Sequence, residues 1–358
     1  MQFGVFSVSD IARDPLTGKM PSESERIDAI QQIARTTEEV GLDVFAIGDH
    51  HSQPFYSMSP ALILAALAAQ THKIVLSTSI LATTTDPVHI AEEYALLQHL
   101  TKGRVDLMLG RGDAARLSEL ENARAQDLAI ENYRLLHELW AEESVDWEGR
   151  FHAPLIDFTS TPRPLDNTPP MVWHAPTRWP ETAEEAAYYG DGYVVPTSFA
   201  APEQLLKLAN LYRQRFEEYG HGPADHACIA LGGQIFVAKN SQDAFNQYRP
   251  YFSELAFGLN MTLEEYANRT MAAIGSPQQV IENILAMREI YGNYQRHILL
   301  VDHAGLPLTT VLDQLEMIGS AVVPTLRREL ESRRPTGALA DPLTHAERVA
   351  MRRCKVAD

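Results

Sequence analysis

Cysteine is nearly absent from this chain: only Cys228 and Cys354 occur in 358 residues. Two cysteines cannot build a disulfide framework, and their spacing is not that of a metal site. Long apolar runs are also missing. The most hydrophobic helical stretch, SPALILAALAAQ (59–70), is too short to span a bilayer. The first ten residues, MQFGVFSVSD, lack the basic start and apolar middle of a signal peptide. No membrane association and a cytoplasmic location are therefore expected. Positive charge is scarce, with 30 Lys and Arg against 47 Asp and Glu and a formal net charge of −17. Such a surface repels a phosphate backbone, so nucleic acid is not an expected partner, while a local basic pocket for a small anion stays open. There is no low-complexity linker, no short-period repeat and no GxGxxG. Without that glycine fingerprint, an open doubly wound sheet carrying a dinucleotide on its first turn is disfavoured.

What the chain does contain is alternation. Short β-rich runs occur at 2–8, 43–48, 73–81, 104–110, 171–174, 192–196, 228–238 and 297–302. Helical patterns lie between them, at 24–40, 88–100, 122–141, 182–189, 202–219, 275–291 and 308–330. Two helix starts place an N-cap residue before a proline, Asp86-Pro87 and Ser276-Pro277, and Val40-Gly41 and Lys102-Gly103 read as stops. Eight strands alternating with helices imply a parallel sheet, and their unbroken apolar character implies cover on both faces. The expected fold is an α/β (β/α)8 TIM barrel spanning 1–330 as one domain. A small hairpin (145–165) is inserted after the fourth helix, and 331–358 reads as an exposed polar C-terminal tail with one short helix.

In such a barrel, functional residues gather where strands end. The second strand ends VFAIGDHH (44–51), delivering Asp49, His50 and His51. Neighbouring strand residues face opposite ways, so the two imidazoles are poor joint ligands for one metal ion. Either one of them handles protons at the barrel mouth or both are structural. The fourth strand ends in LGRGDA (109–114), where Gly110 and Gly112 flank Arg111. A phosphate-binding turn and a plain tight loop both fit that pattern. The fifth strand delivers Trp173 and His174, then APTRWPET (175–182), where a helix begins near Pro180, Glu181 and Thr182. Free N–H groups at a helix start form an anion site, although Glu181 would partly repel one. The last strand delivers Asp302 and His303.

These residues, in this order and spacing, resemble the bacterial luciferase-like flavin monooxygenase family over roughly 1–330. GLDVFAIGDHH (41–51), TTTDPVHIAEEYALLQHLTKGRVDLMLGRGD (83–113) and IGSPQQVIENI (274–284) carry the resemblance. It implies a flavoprotein oxidoreductase using reduced FMN as co-substrate, or in one branch the deazaflavin F420. His50 would be the catalytic histidine and His51 its neighbour. Thr78-Ser79 falls where the family often has a non-prolyl cis peptide beside the flavin ring. Gly110 and Arg111 lie in the loop that meets the flavin phosphate, as do residues 177–182, and His174 falls within the cofactor-binding set. Oxygen would add at the flavin C4a carbon, and the resulting hydroperoxide would oxidise a small organic substrate. Trp173, Phe6 and Tyr193 would wall the substrate side. A separate flavin reductase and a homodimer built on helices 59–70 and 89–100 are the implied partners. The chain also departs from luciferase. Gly110 replaces a reactive cysteine, the 239–274 segment is shorter and helical, and Trp179-Pro180-Glu181-Thr182 replaces a serine-rich helix start. Light emission and a long-chain aldehyde are therefore not implied. An F420- or NAD(P)H-dependent reductase, a non-catalytic flavin binder and a metal hydrolase are the competing readings.

Overall fold

A computed structural model describes residues 1–50, 54–55, 59–110, 119–175, 180–198, 200–255 and 261–357. Its strands are β1 (Gln2–Ser7), β2 (Val44–Gly48), β3 (Val75–Leu81), β4 (Val105–Gly110), β5 (Val145–Trp147), β6 (Leu155–Phe158), β7 (Met171–His174), β8 (Gly192–Pro196), β9 (Ile229–Val237), β10 (Ala273–Gly275) and β11 (Arg296–Asp302). The helices are α1 (Glu23–Glu39), α2 (Pro60–Ala68), α3 (Pro87–Thr101), α4 (Glu119–Ala141), α5 (Pro180–Tyr189), α6 (Pro202–Glu218), α7 (Ser241–Ser253), α8 (Leu263–Thr270), α9 (Pro277–Tyr291), α10 (Leu308–Met317), α11 (Val323–Ser332) and α12 (His345–Ala357).

Eight strands pair in parallel in the order β1-β2-β3-β4-β7-β8-β9-β11, and β11 pairs back onto β1. The fold is thus a closed (β/α)8 barrel. The hairpin insertion is β5–β6, antiparallel and outside the barrel. Asp86 caps α3 by accepting from the N–H groups of Val88 and His89, and Ser276 caps α9 by accepting from Gln279. The helix expected over 308–330 is divided, with a wide π-type turn over Ile318–Val322 between α10 and α11. There Gly319 lies so close to α1's end that a Cβ would stand 2.6 Å from the Val40 carbonyl oxygen.

Strand parity decides which residues face the barrel interior. Phe3, Val5, Phe45, Ile47, Leu76, Ile80, Leu107, Leu109, Val172, Leu299 and Val301 point outward into the layer under the helices. Tyr193, Val195, Ile229 and Leu231 do the same beneath α5 and α6. The alternate residues Ala46, Met108, Trp173, Val194 and Ala230 pack together inside the barrel, with Phe6 and Ala175 against them. The lower interior is sealed. Trp173 donates from Nε1 to Asp106 (3.2 Å), Arg296 pairs with Asp106 (2.7 Å), and the Arg296 guanidinium lies 4.5 Å over the Trp173 ring. Arg296 also donates to the side chain of Gln2 at 2.9 Å.

Below this floor runs the C-terminal segment. It is largely exposed and is tied to the barrel's lower side. His345 meets Gln98 (3.2 Å) and Asp166 (3.2 Å), and the Leu339 carbonyl accepts from Asn293 and Gln295. Arg348, held near Asp106 and Asp191, has its pKa lowered by burial.

The floor depends on a missing side chain. A Cβ on Gly192 would stand 2.4 Å from Trp173 Cε3. Gly192→Ala should therefore destabilise the protein by about 1–3 kcal/mol through overpacking, measured by chemical denaturation. A variant as stable as the parent would show that Trp173 is not wedged there.

Candidate functional site

At the C-terminal end of the strands the interior opens. One inward residue from each of the barrel's eight strands or strand ends is only half-buried: Phe6, His50, Ser79, Gly110, Ala175, Pro196, Gly232 and Leu300. The residues beneath them are closed in. Four of the eight, Ser79, Gly110, Ala175 and Gly232, are small, so among the described residues the ring leaves space at their positions. A Cβ built on Gly232 meets nothing within 4 Å. Two residues further along β9, Gln234 is 3% exposed and its Oε1 has no hydrogen-bond partner among the described residues. An unpaired buried amide oxygen costs about 1–3 kcal/mol, which a ligand donor can offset.

His50 belongs to this ring. Its imidazole folds back over β2, so that a Cβ on Gly48 would stand 2.7 Å from Nε2, and it packs on Phe55 with centroids 4.4 Å apart. Phe55 is held in turn by a bridge to Asp10 at the end of β1. Asp49, one residue earlier, faces the other way, towards Tyr94 of α3. Strand alternation thus sends Gly48 and His50 to the mouth.

The other residues expected at the site divide. Ser79 and Gly110 line the ring. Thr78 is fully buried with its side chain directed to Tyr94, so only its backbone borders the interior. The Thr78–Ser79 peptide is trans; the cis bond among the described residues joins Thr161 to Pro162. At the start of α5, Pro180 and Glu181 are exposed and Thr182 is buried. His51 and Arg111 lie outside the described residues.

His174 needs a correction of direction. Trp173 takes the inward position, so His174 points outward. Its Nε2 lies 3.0 Å from Asp191 and its Nδ1 3.3 Å from Glu185, leaving no ring nitrogen for a ligand. Tyr133 of α4 donates to Asp191 and meets the His174 ring edge-on at 4.8 Å. Burial alone would discharge this imidazole, but the hydrogen bonds to Asp191 and Glu185 outweigh it and raise the pKa to about 9. Tyr193 also points outward, stacked 5.1 Å from Tyr212 of α6, and Trp173 is floor rather than substrate wall. Asp302 and His303 are engaged on the barrel flank. Asp302 accepts from Arg26 (2.6 Å) and Ser7, and His303 bonds Tyr248 (2.7 Å). They border a cleft of about 480 Å³ between α1 and the segment after β11, lined also by Asp14, Lys19, Arg26 and Asp28. Among the described residues no group of three His, Cys, Asp or Glu is arranged to hold a metal ion, and no helix is long and apolar enough to cross a membrane.

Pro196, Gly232, Gln234 and Leu300 complete the mouth without having been singled out in the sequence. The one available signal was Gly232-Gly233 within an otherwise apolar strand, which marks a close approach or an empty place.

Comparison with known proteins agrees with this geometry. Residues 1–294 match the family described as luciferase-like monooxygenase. The oxygenase component of the flavin-dependent trigonelline monooxygenase of Acinetobacter baylyi is 24% identical over 366 residues, covering 93% of this chain and 98% of that one. An F420-dependent glucose-6-phosphate dehydrogenase of Kineococcus radiotolerans is 32% identical over 177 residues, covering 46% of this chain and 51% of that enzyme. The chain thus spans about half the length of that relative. The crystal structure of the monooxygenase RslO1 from Streptomyces bottropensis superposes with a TM-score of 0.75 at 25% identity, covering 91% of this chain and 99% of that one.

Because the folded-state pKa of His174 is raised, its contribution to stability is complete below the ordinary value of 6.5 and is lost as pH rises through about 9. The stability difference between the parent and His174→Gln should therefore be largest near pH 6 and shrink towards pH 10, as read by denaturation at each pH. A constant difference would mean that folding does not raise the pKa of the imidazole. With the family model matched over residues 1–294 of 358, the protein belongs to the luciferase-like monooxygenase family.

Proposed function

We propose that the barrel mouth holds the ring of a reduced flavin, FMN in the first instance, and that the protein uses it with O2 to oxygenate a small organic substrate. The open ring of half-buried residues above a sealed floor carries this reading, because it gives a flat heterocycle a place that the side chains of the described residues leave open. Ser79, Gly110 and Gly232 allow close approach, Phe6 and Leu300 supply apolar walls, and the Gln234 carbonyl offers an acceptor. The phosphate is assigned to the start of α5, where Thr182 and the backbone N–H groups after Pro180 and Glu181 are available, together with Arg111 from the loop beyond β4. His51 is assigned to the same cofactor on the family resemblance alone.

A bound reduced flavin supplies the electrons for oxygen activation, and the protein's own part is position, a dry wall and a proton. His50 is the group for that proton: it stands at the mouth, and the ordinary pKa of an imidazole lies near neutrality. The name of the A. baylyi relative, an oxygenase component, supports a separate flavin reductase as partner. Exposed Leu62, Leu96 and Leu100 on α2 and α3 support a homodimer through those helices. The match to an F420-dependent dehydrogenase supports a second reading, in which the same mouth takes the deazaflavin ring for hydride transfer.

Titrating the protein with FMN and with F420 tests the site and separates the two readings. Gly232→Leu, which fills the open space, should weaken binding of the preferred cofactor by about tenfold or more, a change of about 1.4 kcal/mol or above, without unfolding the barrel. Undiminished binding would place the cofactor elsewhere. His50→Ala should retain cofactor affinity and lose turnover by about 10²- to 10⁴-fold. Wild-type turnover in that variant would remove His50 from the chemistry.

A further inference from the structure

The cluster behind β7 is costly to keep and lies outside the barrel mouth. His174, Asp191 and Glu185 are largely withdrawn from water, with side chains 2%, 17% and 12% exposed. An apolar replacement of similar volume is often no less stable than such a buried ionic group. Its geometry suggests a different use. His174 ends β7, Glu185 lies in the middle of α5, and Asp191 follows α5's end. One rigid ring therefore bonds both to the helix, at Glu185, and to the segment that joins the helix to β8, at Asp191. Asp191 is itself anchored from two further helices, by the Tyr133 hydroxyl of α4 and, at its backbone carbonyl, by the Tyr212 hydroxyl of α6 at 2.6 Å.

Between Thr182 at its start and Tyr189 at its end, which packs on Tyr133 (4.9 Å) and His137 (4.8 Å), the buried face of α5 consists of alanine. Ala183, Ala186 and Ala187 are each 0% exposed. Methyl groups permit close packing on the barrel but interlock weakly, so shape alone sets the position of α5 along its axis poorly. Directional bonds from His174 to Glu185 and Asp191 supply that register. We infer that His174, Glu185 and Asp191 form a positioning cluster that fixes the start of α5 relative to the barrel mouth, and so determines how well the protein distinguishes a phosphorylated cofactor from its phosphate-free form. The inference rests on the assignment of the cofactor phosphate to the start of α5.

Glu185→Ala removes the tether to α5 while leaving the His174–Asp191 bond. Glu185→Gln keeps a hydrogen-bonding group, and Glu185→Met preserves side-chain volume should the alanine variant unfold. The probes are FMN against riboflavin, and F420 against its phosphate-free deazaflavin chromophore, titrated by fluorescence. The parent should prefer the phosphorylated member of one pair. In Glu185→Ala or Glu185→Met that preference should fall about fivefold or more through weaker binding of the phosphorylated ligand alone, equivalent to about 1 kcal/mol, and Glu185→Gln should restore most of it. An unchanged preference overturns the positioning role. An equal loss for both members of the pair overturns it too, by showing general structural damage. A parent protein that binds a flavin but does not distinguish the pair overturns the phosphate assignment and the positioning role together.

Discussion

The barrel is filled from one end only, and most of what can be said of its function depends on that asymmetry. At the lower end Asp106 and Arg296 are ion-paired inside the strands, roofed by Trp173, and the Trp173 indole is both a hydrogen-bond donor to the acid and a π-face for the base. Withdrawing such a pair from water is expensive; Trp173 and Arg296 both engage Asp106 Oδ2, while Oδ1 has no hydrogen-bond partner among the described residues. At the upper end half of the inward ring is glycine, alanine or serine, beside Phe6, His50, Pro196 and Leu300. A closed floor beneath an empty mouth leaves one end of the barrel for chemistry, which is also the end at which proteins of this architecture place their active sites.

The eight strands and the helices between them were legible in the sequence because strands covered on both faces appear as unbroken apolar runs, bounded here by clear caps and stops such as Asp86-Pro87 and Val40-Gly41. The same property hid the orientation of the side chains. A run like VFAIG is buried at every position, so it has no polar alternation to reveal which residues face inward. His50 could be placed at the mouth, and the structure puts it there. Thr78, His174 and Tyr193 sit on strands of the same kind and turn outward, since one step along a strand exchanges its faces. Gly232, Pro196 and Leu300 have no chemically distinctive side chain, and only the closed barrel brings them into one ring. In the C-terminal segment the helix over His345–Ala357 was legible, but its hydrogen bonds to the underside of the barrel were not, because polar residues make them.

The charge of the chain adds a second constraint. A protein of formal charge −17 that is to hold an anionic cofactor needs a local reversal of potential. Helix starts and single arginines can provide it without altering the surface as a whole. Of the acidic side chains near α5, Glu185 and Asp191 are turned to His174 and Glu184 is bound by Arg215 at 2.8 Å, while Glu181 stays exposed at the helix start. The family contains relatives named for oxygenation and relatives named for deazaflavin-dependent dehydrogenation. A common mouth is compatible with both, because the reactive chemistry resides in the cofactor and the protein supplies placement.

The most direct measurement is a crystal structure of the protein soaked with the cofactor it binds, FMN or F420. The account predicts the fused ring inside the mouth, in contact with Phe6, Ser79, Gly110 and Gly232, with His50 beside it and the phosphate at the start of α5. Ring density in the cleft between α1 and the segment after β11, with the barrel mouth empty, would contradict it.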